Sequence, residues 1–224
     1  MSESVRTNLG TAPSGARWRA VFFDFGGVIL SSPFEAFNVY EAANGLPTDF
    51  LRSVNALNPD VNAWALIERR DITPAEFDER FGDESAALGH RVPGAHVLAL
   101  LNGSLRPRMV RLLDSVNEAG YLTACLTNNV VSMNHNTDPE VAAVLAKFRF
   151  VVESSKVGVR KPDPEFYRIA CDLARVTPDE VIFLDDLGVN LKPAAAMGMT
   201  TIKVIDPADA IGELTTLLSL DGIV

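Results

Sequence analysis

Carboxylates at the ends of apolar runs stand out first, because an ionised group there is unfavourable unless a partner or a reaction accounts for it. Val21-Phe22-Phe23 ends in Asp24, and Val181-Ile182-Phe183-Leu184 ends in Asp185-Asp186. A third run, Ala124-Cys125-Leu126, ends in Thr127 and is followed by Asn128-Asn129, and Lys161 lies in Gly158-Val159-Arg160-Lys161-Pro162. Carboxylates, a hydroxyl and an ammonium together suit phosphoryl transfer. Asp24 has two readings: a nucleophile that attacks phosphorus to form an aspartyl-phosphate, or a strand-end carboxylate capping a turn. The neighbouring carboxylates Asp185 and Asp186 need a cation, and Mg2+ typically takes one or two carboxylates plus phosphate and water. The alternative for them is a helix N-cap with a solvated neighbour. Thr127 would donate its hydroxyl to a phosphate oxygen, helped by the turn at Asn128, and Lys161 would act as a compact positive charge. Asn190 would orient the acidic pair through its amide. Alone, Thr127 reads as an ordinary strand end and Lys161 as a surface lysine; their combination carries the chemistry.

The elements that must position these groups follow from the same runs. Short apolar segments bounded by turn residues read as buried strands of a parallel sheet, here 20–24, 121–127, 149–153, 181–185 and 200–204. In such sheets ligands bind beyond the carboxyl ends of the strands, which is where Asp24, Thr127 and Asp185 fall. Helix signals lie between the strands. Pro107 opens a helix that ends near Gly120, and Asp138-Pro139, Asp163-Pro164 and Asp206-Pro207 each pair an N-cap with proline at the first helical position. The alternation predicts an α/β fold, a Rossmann-like doubly wound parallel sheet with helices on both faces. Residues 33–105 break the pattern. Thr73-Pro74-Ala75-Glu76 is a capping-box pattern ahead of Phe77 and Phe81, and Phe34, Phe37 and Tyr40 suggest another amphipathic helix. This segment reads as an all-helical module inserted after the first strand, placed to act as a lid. The division is then a mobile tail at 1–16, an α/β core at 17–32 and 106–224, and a helical cap at 33–105.

Composition bounds the function. The 224 residues carry a net charge of -9, which argues against nucleic acid as the main partner. A small anionic substrate is still accommodated, because a metal ion reverses the local sign of charge. Cys125 and Cys171 sit in apolar segments and read as small buried hydrophobes. Without a cysteine framework a reducing compartment, the cytoplasm, is expected. No run approaches the ~20 apolar residues of a membrane span, and Met1 to Ala20 lacks the apolar region of a signal peptide. His90, His96 and His135 show no metal-ligand spacing and read as loop or surface residues.

The four segments, in this order, resemble the motifs of the haloacid dehalogenase superfamily over roughly residues 18 to 220. Phe23-Asp24-Phe25-Gly26-Gly27-Val28, Val157-Gly158-Val159-Arg160-Lys161-Pro162-Asp163-Pro164 and Phe183-Leu184-Asp185-Asp186-Leu187-Gly188-Val189-Asn190-Leu191 are similar to the phosphatase-like domains of soluble epoxide hydrolases. They are closer still to those of acyl-CoA dehydrogenase fusion proteins. The resemblance implies a Mg2+-dependent phosphohydrolase of a small organic phosphate. Asp24 would be the nucleophile, Thr127 and Lys161 its phosphate contacts, and Asp24, the Gly26 carbonyl and Asp185 the metal ligands. Asp186 and Asn190 would support the ligands, and Asn128, Gly27 and Arg69 would touch substrate. One departure matters: phosphatases of the superfamily usually carry a general acid two residues after the nucleophile, where this chain has Gly26. A glycine there suits a positive-φ turn or a close backbone approach. Its presence keeps open a slow enzyme, another acid, or a preference for good leaving groups. It also keeps open a binding or regulatory protein that has lost turnover. A separate rival, a metal-independent dehalogenase in which Asp24 attacks carbon, is opposed by the paired Asp185 and Asp186. Trp64, Glu68, Arg69 and Arg70 cluster ahead of the Thr73 helix; a solvated helix face with i, i+4 pairing is the alternative to a substrate contact at Arg69.

Overall fold

The computed structural model describes residues 15–101, 103–129 and 138–220. The tail predicted at 1–16 therefore falls almost wholly outside the described residues, as does His135; Ala16, at its edge, packs against the core.

Five parallel strands form one sheet: β1 (Ala20–Phe23), β2 (Leu122–Thr127), β3 (Phe150–Glu153), β4 (Val181–Asp185) and β5 (Thr200–Lys203), in the order β3-β2-β1-β4-β5. All five sequence-predicted strands are present, with ends that differ by at most one residue. Strand periodicity divides the side chains between two cores. Val21, Phe23, Cys125, Ile182 and Leu184 pack on one face. Ala20, Phe22, Ala124, Leu126, Val181 and Phe183 pack on the other. Helices cover both: α6 (Pro107–Glu118) and α11 (Pro207–Leu218) add Leu112, Leu113 and Leu214 to the first, and α9 (Pro164–Ala174) adds Phe166 and Tyr167 to the second. Both-sided burial explains why these strands read as continuous apolar runs.

The predicted helix starts are real caps. Asp138 accepts from the amides of Glu140 and Val141 at α7 (Pro139–Leu145), Asp163 from Glu165 at α9, and Asp206 from Ala208 at α11. Each cap satisfies amides that a helix start leaves unpaired. Two more helices belong to the sheet domain, α8 (Ser154–Val157) and α10 (Gly188–Ala196).

Between β1 and β2 run α1 (Pro33–Ala43), α2 (Phe50–Ala56), α3 (Ala63–Glu68), α4 (Pro74–Ala87) and α5 (Gly94–Ala99). Thr73 and Glu76 form the reciprocal capping box at α4. These helices have their own apolar cluster, including Phe37, Leu51, Phe77, Phe81 and Val97. The chain leaves and re-enters the sheet through two adjacent segments. Leu30 bridges to Leu105, the Ser31 amide donates to the Ser104 carbonyl at 2.8 Å, and the Arg106 amide donates to the Ile29 carbonyl at 2.9 Å. Among the described residues no helix is long and apolar enough to cross a membrane.

Candidate active site

β1 is the strand at which the sheet order reverses, with β2 on one side and β4 on the other; such a switch point opens a crevice at the carboxyl ends. Asp24 follows β1, and its amide donates to the Leu184 carbonyl at 2.8 Å, which ties it beside the end of β4. Asp185 closes β4 and Thr127 closes β2. The convergence predicted from three run-ends in sequence is thus present, with parallel pairing of β1 to β2 and to β4 bringing these groups to one crevice.

Lys161 joins them from the segment ahead of α9. It is fully buried, and its Nζ lies 2.8 Å from Asp24 Oδ1 and 2.7 Å from Asp185 Oδ2. The surface-lysine reading is therefore wrong. Asn128 explains how the lysine is aimed: its Oδ1 accepts from the Lys161 amide and its Nδ2 donates to the Lys161 carbonyl, both at 2.9 Å. Asn128 so acts on the lysine's backbone while also lining the cavity described below. Asp185 Oδ1 accepts from the Leu187 amide at 2.8 Å, and both its oxygens accept from Asn190 Nδ2 at 3.0 and 3.1 Å. Asn190 is held in turn by the Tyr167 hydroxyl on its carbonyl at 2.7 Å.

Asp24, Asp185 and Asp186 place carboxylate oxygens within 4.8 Å of one another. Burial raises the Asp24 carboxyl well above its ordinary range; Lys161 opposes this, while Asp185 and Asp186 add to it. Asp186 is pushed up to about 6 by burial and then by Asp185. Burial alone would depress the Lys161 ammonium, but Asp185 and Asp24 outweigh it and hold the proton firmly. Three carboxylates against one ammonium leave an excess of negative charge with hard oxygen donors, a set that fits a hard divalent cation.

The loop after Asp24 separates two glycines by function. Gly27 has φ +79, and a Cβ there would lie 2.2 Å from Asp186 Oδ2. Both the turn and the seat of the Asp186 carboxylate therefore require glycine. Arg106 Nη1 donates to the Gly27 carbonyl at 2.6 Å and holds this turn from the re-entering segment. Gly26 carries neither constraint: its φ is -70 and ψ 131, and a Cβ would meet nothing within 4 Å. The expectation that position 26 needs glycine for a turn or a close approach is corrected; that requirement sits one residue later.

Above the strand ends lies a cavity of about 530 Å3. Asp24, Gly26, Thr127, Asn128, Lys161 and Asp186 form its polar end, while Phe25, Leu30, Phe34, Phe37, Trp64 and Leu101 give it apolar walls. The helical module supplies much of that wall. Glu68, at the end of α3, is 5 % exposed and lines the cavity too. Its Oε1 accepts from Trp64 Nε1 at 3.0 Å, and its Oε2 lies 2.6 Å from Arg160 Nε and 3.4 Å from Asn128 Nδ2. Ser154 Oγ donates to its backbone carbonyl at 2.6 Å. Arg69, expected to touch substrate, instead pairs with Asp71 at 2.8 Å and donates to the Asp60 carbonyl at 3.1 Å. It is not among the residues lining the cavity. The helical phase explains the correction: the i, i+4 pair of Trp64 and Glu68 faces inward, and the next residue turns away. Glu68 and Arg160 are the residues that sequence reasoning passed over as site components. Arg160 adjoins Lys161, and Trp64 at i-4 was the local signal for Glu68.

Residues 18–198 match the model of the haloacid dehalogenase-like hydrolases. Acyl-CoA dehydrogenase family member 10 of Mus musculus is 34% identical over 225 residues, which cover 94% of this chain but 21% of that protein. The chain thus spans about a fifth of that relative's length. A sesquiterpene phosphatase of Aspergillus oryzae is 27% identical over 209 residues, covering 90% of this chain and 97% of the relative. Among solved structures, a haloacid dehalogenase family enzyme of Bacteroides thetaiotaomicron in complex with magnesium and inorganic phosphate superposes with a TM-score of 0.57. It has 22% identity and covers 83% of this chain and 93% of its own.

Proposed function

The chain belongs to the haloacid dehalogenase-like hydrolases, and on that premise we propose that it is a phosphohydrolase acting on the phosphate ester of a largely apolar alcohol. One observation carries the reading: a fully buried ammonium bridges Asp24 and Asp185 at the floor of the cavity, with Asp186 completing the carboxylate cluster. Asp24 attacks phosphorus and takes the phosphoryl group, and water then hydrolyses the aspartyl-phosphate. Lys161 faces the transferring oxygens with a fixed charge, and Thr127 offers a hydroxyl to one of them. Asp24, the Gly26 carbonyl and Asp185 would hold Mg2+, with Asp186 and Asn190 supporting them. When bound, the ion neutralises the phosphate and the excess carboxylate charge. Asn128 keeps the lysine in place, and Gly27 leaves room for Asp186.

The apolar walls support an apolar leaving group, and the likeness to a sesquiterpene phosphatase agrees with them. The helical module then acts as the cap over the site. The excess negative charge at the floor speaks against a metal-free dehalogenase, which gains nothing from it. The test is a panel of alkyl, prenyl and sugar phosphates, with 2-chloropropionate, each assayed with and without Mg2+. Turnover of the apolar phosphates that needs Mg2+ is expected. Halide release without metal, or preference for the sugar phosphates, would refute the reading.

A further inference from the structure

A phosphatase that lacks a carboxyl at position 26 must find a proton for its leaving group elsewhere, or release an alkoxide. Among the described residues, the carboxyls lining the cavity are Asp24, Asp60, Glu68 and Asp186. Asp24 is taken up by attack on phosphorus, and Asp186 lies in the acidic cluster against Gly27. Asp60 is exposed. In-line transfer puts the leaving oxygen on the side of phosphorus away from the attacking carboxylate. Asp24 comes from the sheet, so that side faces the wall built by the helical module. The buried carboxyl that this wall presents is Glu68.

Resting on the phosphohydrolase reading, we propose that Glu68 is the general acid of this site and protonates the leaving-group oxygen. Its connection to the site is direct: Asn128 Nδ2, which bonds the Lys161 carbonyl, lies 3.4 Å from Glu68 Oε2. Trp64 Nε1 fixes the other oxygen. Arg160 Nε stands 2.6 Å away but has no aligned hydrogen bond, so the guanidinium balances charge without fully occupying the carboxyl. Burial shifts the Glu68 carboxyl upward, with Arg160, Trp64 and Lys161 acting against the shift. In the first half-reaction the Asp24–phosphorus bond forms, the phosphorus–oxygen bond to the alcohol breaks, and the Glu68 proton passes to that oxygen. In the second, Glu68 carboxylate takes a proton from the attacking water as phosphate leaves Asp24. The acid is restored and both steps balance.

An ion pair that only joins module and core would show the same contacts, so the experiment must separate chemistry from fastening. It measures kcat/KM for aryl phosphates of graded leaving-group pKa with the unmodified chain, Glu68→Gln, and Glu68→Gln combined with Gly26→Asp. The Gln variant is expected to lose about 10²–10⁴-fold on poor leaving groups, the usual worth of a general acid, and far less on good ones. The added Asp at 26, where a side chain has room, is expected to recover the poor esters. Should the Gln variant not fold, Glu68→Asp is measured instead, with the same selective loss expected. Equal losses across the series, or no recovery by Gly26→Asp, would overturn the assignment while leaving the phosphohydrolase intact. An unmodified chain inactive on every ester would overturn the underlying reading, and with it the role of Glu68.

Discussion

Replacing Lys161 by methionine tests the electrostatic design of the site through stability rather than rate. The side chain is wholly buried, 2.8 Å from one carboxylate and 2.7 Å from another, and it passes over the Phe183 ring at 5.6 Å. Methionine nearly conserves length and volume, so the cavity contribution is small. What is lost is the charge. Removing one partner of a buried pair costs about 3–5 kcal/mol, because the other is left unpaired. Here two partners lose it, and Asp186 lies in the same cluster. The carboxyl of Asp24, already raised by burial, can take up a proton and relieve part of this. We therefore expect about 3 kcal/mol, the low end of that range. For a chain of this length that is about 6–12 °C in melting temperature. The assay is urea unfolding at neutral pH, in EDTA and in excess Mg2+. Mg2+ should restore more stability to the variant than it adds to the unmodified chain, because the uncompensated carboxylates bind it. A difference within about 0.5 kcal/mol in EDTA, typical of surface substitutions, would show that Lys161 does not neutralise a buried cluster and would refute the reasoning.

Further outcomes follow from the same geometry. Asp24→Asn should abolish phosphate release while the circular dichroism spectrum stays unchanged; turnover at the original rate would end the case for a nucleophilic aspartate. EDTA should stop turnover and Mg2+ restore it, and Asp185→Ala should weaken Mg2+ binding in calorimetry, since a hard cation loses a carboxylate. Gly27→Ala should cost about 1–2 kcal/mol for a left-handed backbone and, by displacing Asp186, lower kcat more than that stability loss explains; urea melts beside steady-state kinetics compare the two. The Cys171 thiol is pushed up to about 11 by burial and then by Asp172, so at pH 8 roughly one thiol in a thousand is thiolate and a disulfide reagent should label it slowly. Its folded state holds the proton more tightly than the ordinary thiol, so this contribution to stability is present below about pH 9 and lost as the pH rises toward 11.

The sheet and the caps were legible because each is written locally. Phe22 and Phe23 alternate between two cores, and an aspartate before a proline supplies both the cap and the first helical φ. The strand-end groups were legible for the same reason: Asp24, Thr127 and Asp185 each terminate an apolar run, and parallel pairing brings run-ends together. Local signal failed within the cap. Glu68 and Arg69 are adjacent on one helix end, equally charged-looking in sequence, yet one is buried over the site and the other pairs outward with Asp71. Helical phase decides between them, and phase depends on how α3 packs against α8, a long-range fact.

Gly26 and Gly27 show the same limit at a single dipeptide. Sequence offers two glycines and a missing acid, and assigns the conformational need to the wrong one. The structure separates them through a residue far along the chain: Asp186 fills the space that a side chain at 27 would take, whereas nothing fills the space at 26. That open space adjoins the cavity floor. A carboxyl could stand there without backbone strain, so steric exclusion cannot explain why this chain has none. On the phosphohydrolase reading, a general acid for the leaving group would then come from a group that position 26 does not constrain. The buried carboxyl on the facing cap wall meets that need, and it couples acid delivery to the seating of the cap. Such a site would protonate its leaving group only with the helical module in place over it, whereas an acid at position 26 would be ready whether the module was seated or not.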